Sequence, residues 1–220
     1  MMAEPGIVKI GMNNSALIIK PNYWISSDEP ACFSREIIYD QSYWKFGGYS
    51  RCDSRIDGKP WKYYPSTFFY GVDQRFDYNN FLFKRKEFVW WKNTWFIALQ
   101  FAYRLGFRTI YSIGSEFKIS KESQYAFGSN LTDKEIDINA LLYTQTIERM
   151  EKLKPHFEEC KLRFVSCSKA SPLADIFEYL DPEQAVIRCT TQVPIEQDPS
   201  SLPHSKTLHE KTRASTGNNQ

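Results

Sequence analysis

Histidine is scarce in this 220-residue chain: there are three, and His204 and His209 fall in a C-terminal stretch with few large apolar residues. That leaves His156 alone inside the foldable portion, so a zinc site has almost no ligands to draw on. A histidine general base fares no better, because His156 follows Pro155 near the end of a helix and reads as a solvated helix-end residue. The five cysteines (Cys32, Cys52, Cys160, Cys167 and Cys189) contain no CxxC pair and form an odd set. Such a set argues against a disulfide framework and for a reducing compartment. No apolar run approaches the roughly 20 residues of a membrane span. Residues 1–6 lack the basic and apolar regions of a secretory signal. The expectation is a cytoplasmic protein with no membrane span. P-loop and GxGxxG motifs are missing too, which removes the usual NTPases and dinucleotide-dependent dehydrogenases. There is no GxSxG elbow and no DxD metal motif, so neither a triad nor a metal is expected.

What the chain has in quantity is aromatic surface. Of 35 aromatic residues, 18 lie between Trp61 and Phe107, so the middle of the chain must bury or use large rings. The formal charge of +2 is too near neutral to suggest a nucleic-acid partner, but it is unevenly spread. Residues 45–110 carry 12 Lys/Arg against 5 Asp/Glu, and residues 111–183 carry 9 against 13. A basic half is compatible with an anionic ligand, and equally with a solvated basic face.

Periodicity divides the chain into short elements. Residues 7–10, 23–27 and 36–39 read as strands that stop at polar residues, where open α/β sheets bind ligands. Glycines and prolines then break the pattern from 45 to 92, which reads as an aromatic-rich insertion with strands near 67–70 and 82–90. Order returns at Thr94 with an amphipathic helix ending at Gly106, followed by a strand over 109–113. Thr132 and Glu135 form a capping box for a helix of about five turns, over 134–154. A strand over 162–165, a short helix from Ser171-Pro172 and a last strand over 185–187 follow. Residues 190–220 have the composition of a disordered tail. The alternation predicts one α/β domain over residues 1–189, with the principal strands in a single, mostly parallel sheet.

Three groups at strand ends or helix starts could carry chemistry. Asn13-Asn14 offers side-chain amides to a ribose or phosphate, or simply forms a turn. Lys92-Asn93-Thr94 combines an amine, a cap, a hydroxyl and a helix N-terminus, the ingredients of an anion site and of an ordinary cap. Glu116 opens a long loop containing Tyr125, of the kind that folds over ligands or is merely mobile.

The stretch ALQFAYRLGFRTIYSIGSEFKISKESQYAF, residues 98–127, resembles a segment of the bacterial sialyltransferases that use CMP-activated sialic acid. It is equally similar to the motility accessory factors that modify flagellin and to the archaeal hydroxymethylpterin pyrophosphokinases, which belong to the same wider family. LKPHFEECKLRFVSC downstream and VKIGMNNSALIIKPNYWISSDEP upstream extend the resemblance to about two thirds of the chain. It implies a Rossmann-like fold. It also implies that Asn13 contacts a nucleotide, Thr94 its phosphate, and Tyr125 the leaving phosphate. The departures are definite. The family's glycine-rich first strand has no room before Ile7, and Glu116 replaces its aspartate. Trp91 stands where an arginine belongs, and the sialyltransferase histidine has no counterpart.

The implied activity is transfer from a nucleotide-activated sugar to an unknown acceptor, without a metal or other cofactor. Asp28 and Glu116 are the candidate bases, and Asn13, Asn14, Lys92, Asn93, Thr94 and Tyr125 the candidate nucleotide ligands. Two alternatives stand beside it: a degenerate, non-catalytic nucleotide-binding or interaction module, and pyrophosphoryl transfer to a pterin.

Overall fold

The computed structural model describes residues 7–74, 78, 81–82, 87–121 and 131–191. The first of its two main parallel sheets comes from the N-terminal half of the chain. β1 (Ile10–Met12) is followed by β2 (Tyr23–Ser26), α1 (Arg35–Tyr39) and β3 (Trp44–Gly48). A small antiparallel hairpin, β4 (Arg55–Ile56) with β5 (Lys59–Pro60), precedes β6 (Thr67–Tyr70). The order is β1-β2-β3-β6, all parallel, with Trp24 opposite Lys45 and Phe46 opposite Phe68. One residue beyond β6, β7 (Val72–Asp73) pairs in parallel with β8 (Phe88–Val89).

Alternation along β2 sends its side chains to two different cores. Trp24 faces Phe33, Ile37, Ile38 and Trp61, whereas Ile25 faces Tyr70, Phe88 and Phe101. Gly47 is required by the first of these cores: a Cβ there would come within 2.3 Å of the Trp61 ring.

α2 (Thr94–Arg104) is the element the two sheets share. Ile97, Ala98 and Phe101 pack on the first sheet, while Trp95, Phe96, Leu99 and Tyr103 enter a second cluster with Met150, Leu153, Phe157 and Phe164. The sequence suggests an amphipathic helix, but residues 94–103 are buried throughout, as a helix covered on all sides must be. Its one buried amide, Gln100, accepts from the Val89 N–H and donates to the Val89 carbonyl, both at 2.9 Å. The side chain thus satisfies strand groups that a further strand would otherwise pair. Gly106, at φ 99°, ends the helix as expected.

β9 (Thr109–Ser112), α3 (Asp133–Glu159), β10 (Arg163–Ser166), α4 (Leu173–Ile176), β11 (Glu178–Tyr179) and α5 (Pro182–Thr191) complete the fold. The order of the second sheet is β11-β10-β9, again parallel, with α3 as the crossover from β9 to β10. The capping box forms: the Thr132 hydroxyl accepts from the Glu135 N–H, and the Glu135 carboxylate accepts from the Thr132 N–H. α3 runs on past Pro155 to Glu159, one turn beyond the expected end.

The α/β class of the prediction is correct; several of its elements are not. The expected single sheet is two sheets, because α2 lies between them. The segment read as an insertion carries the expected strand over 67–70 as β6, but it belongs to the first sheet, where β6 pairs with β3, and it also supplies β7 and β8. The first strand is Ile10–Met12 and not residues 7–10. Residues 36–39 are helical, because Ser34 caps the Glu36 N–H and the adjacent Ile37 and Ile38 both find the core. Residues 185–187 lie within α5, whose start is set by Pro182 and by the Asp181 carboxylate accepting from the Glu183 N–H. Of the strand expected over 82–90, Phe88–Val89 is observed as β8, while residues 83–86 lie outside the described residues. The tail expected from 190 lies, from residue 192 on, outside the described residues.

Candidate functional site

The C-terminal ends of the strands in both sheets approach the N-terminus of α2. On the first-sheet side the chain leaves β1 at Asn13, in the left-handed region at φ 48°. The Asn13 carbonyl accepts from the Trp24 indole at 2.7 Å, and its side-chain oxygen accepts from the Ser26 hydroxyl at 3.1 Å. Ser26, fully buried at the end of β2, also accepts from the Asp28 N–H. Ser27 donates its N–H to the Thr94 hydroxyl at 3.2 Å. The Tyr70 hydroxyl, from the end of β6, donates to the Ser26 carbonyl. Its one proton is thereby used, so the Ser27 hydroxyl, 3.0 Å away, donates to Tyr70. Four elements, separated by up to 81 positions between Asn13 and Thr94, meet in one hydrogen-bonded group.

Asp28 stands at the rim of this group. Burial of its carboxyl raises its pKa, and the nearby Arg51 guanidinium opposes that shift. Arg51, just beyond the end of β3, pairs with Glu29 at 2.8 Å. A carboxyl moved upward from the ordinary range is shifted in the direction a general base requires.

At the start of α2, Lys92 is exposed and left-handed at φ 55°. The Asn93 side chain caps the helix by accepting from the Trp95 N–H at 2.9 Å, and its amide donates to the buried Thr146 hydroxyl of α3 at 3.2 Å. On the second-sheet side the Trp95 indole points at Ser115 and Ser112, 3.1 and 3.4 Å away, and these two hydroxyls lie 2.7 Å apart. The Ser168 hydroxyl, beyond β10, donates to Glu116 at 2.7 Å. Phe117 sits at φ 49°, an unusual conformation for a bulky residue, with its ring against Trp95 and Tyr143. Asn13, Lys92 and Phe117 are three of the six described non-glycine residues with positive φ, and all three flank this helix start. Strained backbone is characteristic of ligand sites.

Of the sequence candidates, Asn13, Asp28 and Thr94 join one group through Ser26 and Ser27. Asn93 and Lys92 adjoin it, and Asn14 lies in the turn after Asn13. Glu116 belongs to the second group, joined to the first through the consecutive residues Thr94 and Trp95. Tyr125 lies outside the described residues. Sequence reasoning missed Ser26, Ser27, Tyr70 and Arg51. The serines were legible beside Asp28, whereas Tyr70 and Arg51 came from the segment read as an insertion. An open depression of about 410 Å³, floored by Phe157, Phe164 and Phe177, lies at the opposite end of β10, away from these groups.

Among the described residues no cluster of three or more His, Cys, Asp or Glu is arranged to hold a metal, and no helix is long and apolar enough to cross a membrane. Comparisons with protein-family models, curated proteins and solved structures return no significant match.

Proposed function

We propose that the site at the start of α2 binds a nucleotide-activated sugar and transfers the sugar to an acceptor. The observation that carries this reading is the meeting of Asn13, Ser26, Ser27, Asp28, Tyr70 and Thr94 at the C-terminal ends of parallel strands. Open α/β sheets bind their ligands at such edges. Lys92 and the α2 N-terminus supply positive potential for a phosphate. Asp28 is the preferred base, since burial raises its pKa. The resemblance to the CMP-dependent transferases supplies the donor class and implies a Rossmann-like domain working in the cytoplasm without a cofactor.

A second reading is a non-catalytic nucleotide-binding module. One observation favours it: the Asn93 amide and Thr94 hydroxyl are already engaged inside the protein. Pyrophosphoryl transfer to a pterin, the other activity the resemblance implies, has no specific observation behind it.

The test is calorimetric titration with CMP, CDP and UDP, followed by Thr94→Ala and Lys92→Ala. Saturable binding is expected. Thr94→Ala should lower affinity about tenfold, the equivalent of roughly 1.4 kcal/mol. Lys92→Ala should weaken binding most at low salt. If no nucleotide binds the folded protein at millimolar concentration, the transferase reading is wrong.

A further inference from the structure

Tyr49 follows the last residue of β3, one position beyond the Gly48–Tyr70 pair. The Tyr70 hydroxyl touches Ser26 and Ser27, so the backbone of Tyr49 leaves the sheet beside the first polar group. From there the chain makes a single 3-10 turn, Tyr49–Arg51. Its end returns to that group, where the Arg51 guanidinium pairs with Glu29 and acts on the Asp28 carboxyl. Its beginning does not return. Tyr49 is 68% exposed, more than any other described aromatic residue.

The other well-exposed rings of this half of the molecule are occupied. Tyr39 donates to Asp57, Trp44 and Phe68 lie against each other at 5.3 Å, and Tyr63 carries the Lys62 ammonium over its face. Among the described residues the Tyr49 side chain has neither a ring partner nor a hydrogen-bond partner; its backbone carbonyl is engaged, accepting from the Cys52 N–H. Packing does not explain it: it lies in the turn after Gly48, and among the described residues nothing covers it. A flat, two-sided ring held out beside a group of strand-end polar residues suits a second flat ring.

We infer that Tyr49 stacks on the base of the bound nucleotide, an inference that rests on the nucleotide reading of the site. The planar base would lie on the Tyr49 face while the phosphate reaches toward Lys92 and the start of α2. Stacking on an aromatic side chain tolerates any base, so Tyr49 supplies affinity for the base without selecting cytosine over uracil.

The test separates this inference from the reading beneath it by using two probes, CMP and ribose 5-phosphate, which share the sugar phosphate and differ in the base. Wild type should bind CMP more tightly than ribose 5-phosphate. Tyr49→Ala should lose between about 5-fold and 100-fold in CMP affinity, with ribose 5-phosphate affinity and melting temperature unchanged. Tyr49→Trp should restore CMP binding. Should Tyr49→Ala bind CMP as wild type does, or lose both probes equally, the stacking role is overturned while nucleotide binding stands. A wild type that binds neither probe overturns the nucleotide reading, and the stacking role with it.

Discussion

The two polar groups flanking the start of α2 use similar chemistry, hydroxyls with one carboxylate, but are built in opposite ways. The first-sheet group joins four elements remote in sequence, and Ser26, Tyr70 and Thr94 within it are all buried. The second is mostly local. Ser112, Ser115 and Glu116 sit within five positions, Trp95 and Ser168 come from farther along the chain, and Glu116 is exposed. A buried hydrogen-bonded network is fixed by the fold before any ligand arrives, whereas an exposed loop cluster can rearrange around one. The contrast assigns the rigid half of the candidate site to the first sheet and the adaptable half to the second.

The hardest blow to that assignment would come through the aromatic floor of the first sheet. Trp61 is fully buried against β3, so Trp61→Ala should remove about 3–5 kcal/mol of stability, measured by urea unfolding. A loss below about 1 kcal/mol would mean that the first group has no rigid base.

Asn93 tests the link between the halves. Replacing it with alanine removes a helix cap and leaves Thr146 without the amide of α2, for an expected loss of about 1–2 kcal/mol. An unchanged melting temperature would show that α2 and α3 are not joined there.

The smallest effects discriminate most finely, through pH. The raised pKa of Asp28 means that the fold disfavours its ionised form. The folded state therefore holds the proton more tightly than the unfolded one, and stability falls as pH rises from the ordinary 3.8 through the raised value. Asp28→Asn removes that loss. It should melt above wild type at neutral pH, with the difference shrinking as pH falls toward 3.8. Glu116→Gln, on the exposed side, should stay within about 0.5 kcal/mol of wild type at neutral pH. Equal gains from both substitutions would erase the distinction between the halves.

Much of this site could be read before the fold was known. Asn13, Asp28 and Thr94 stood out because each follows or begins an element with a clear period, and such places collect ligands in α/β folds. Tyr70 was hidden as one aromatic among many, with nothing local to show that its hydroxyl would reach Ser26 and Ser27. Arg51 was hidden for a related reason: β3 contains two glycines and a buried lysine, a poor strand signal that its neighbours β2 and β6 override. Residues 36–39 were misread because two adjacent isoleucines suit a strand as well as a helix too short to show its period.

By itself the sequence determined the composition class, the cap and stop of α2, the capping box of α3, and the strand–helix–strand order that makes β9 and β10 parallel. These depend on contacts a few residues apart, or on a handedness rule that needs no coordinates. The tertiary structure alone decided that α2 would be buried on every side, that the sheet would divide into two around it, and that Ser26, Tyr70 and Arg51 would stand beside the residues already suspected. Those outcomes depend on how helix and sheet surfaces fit together across many tens of residues. Hydrophobic burial drives such fitting without direction, so no local pattern encodes its result.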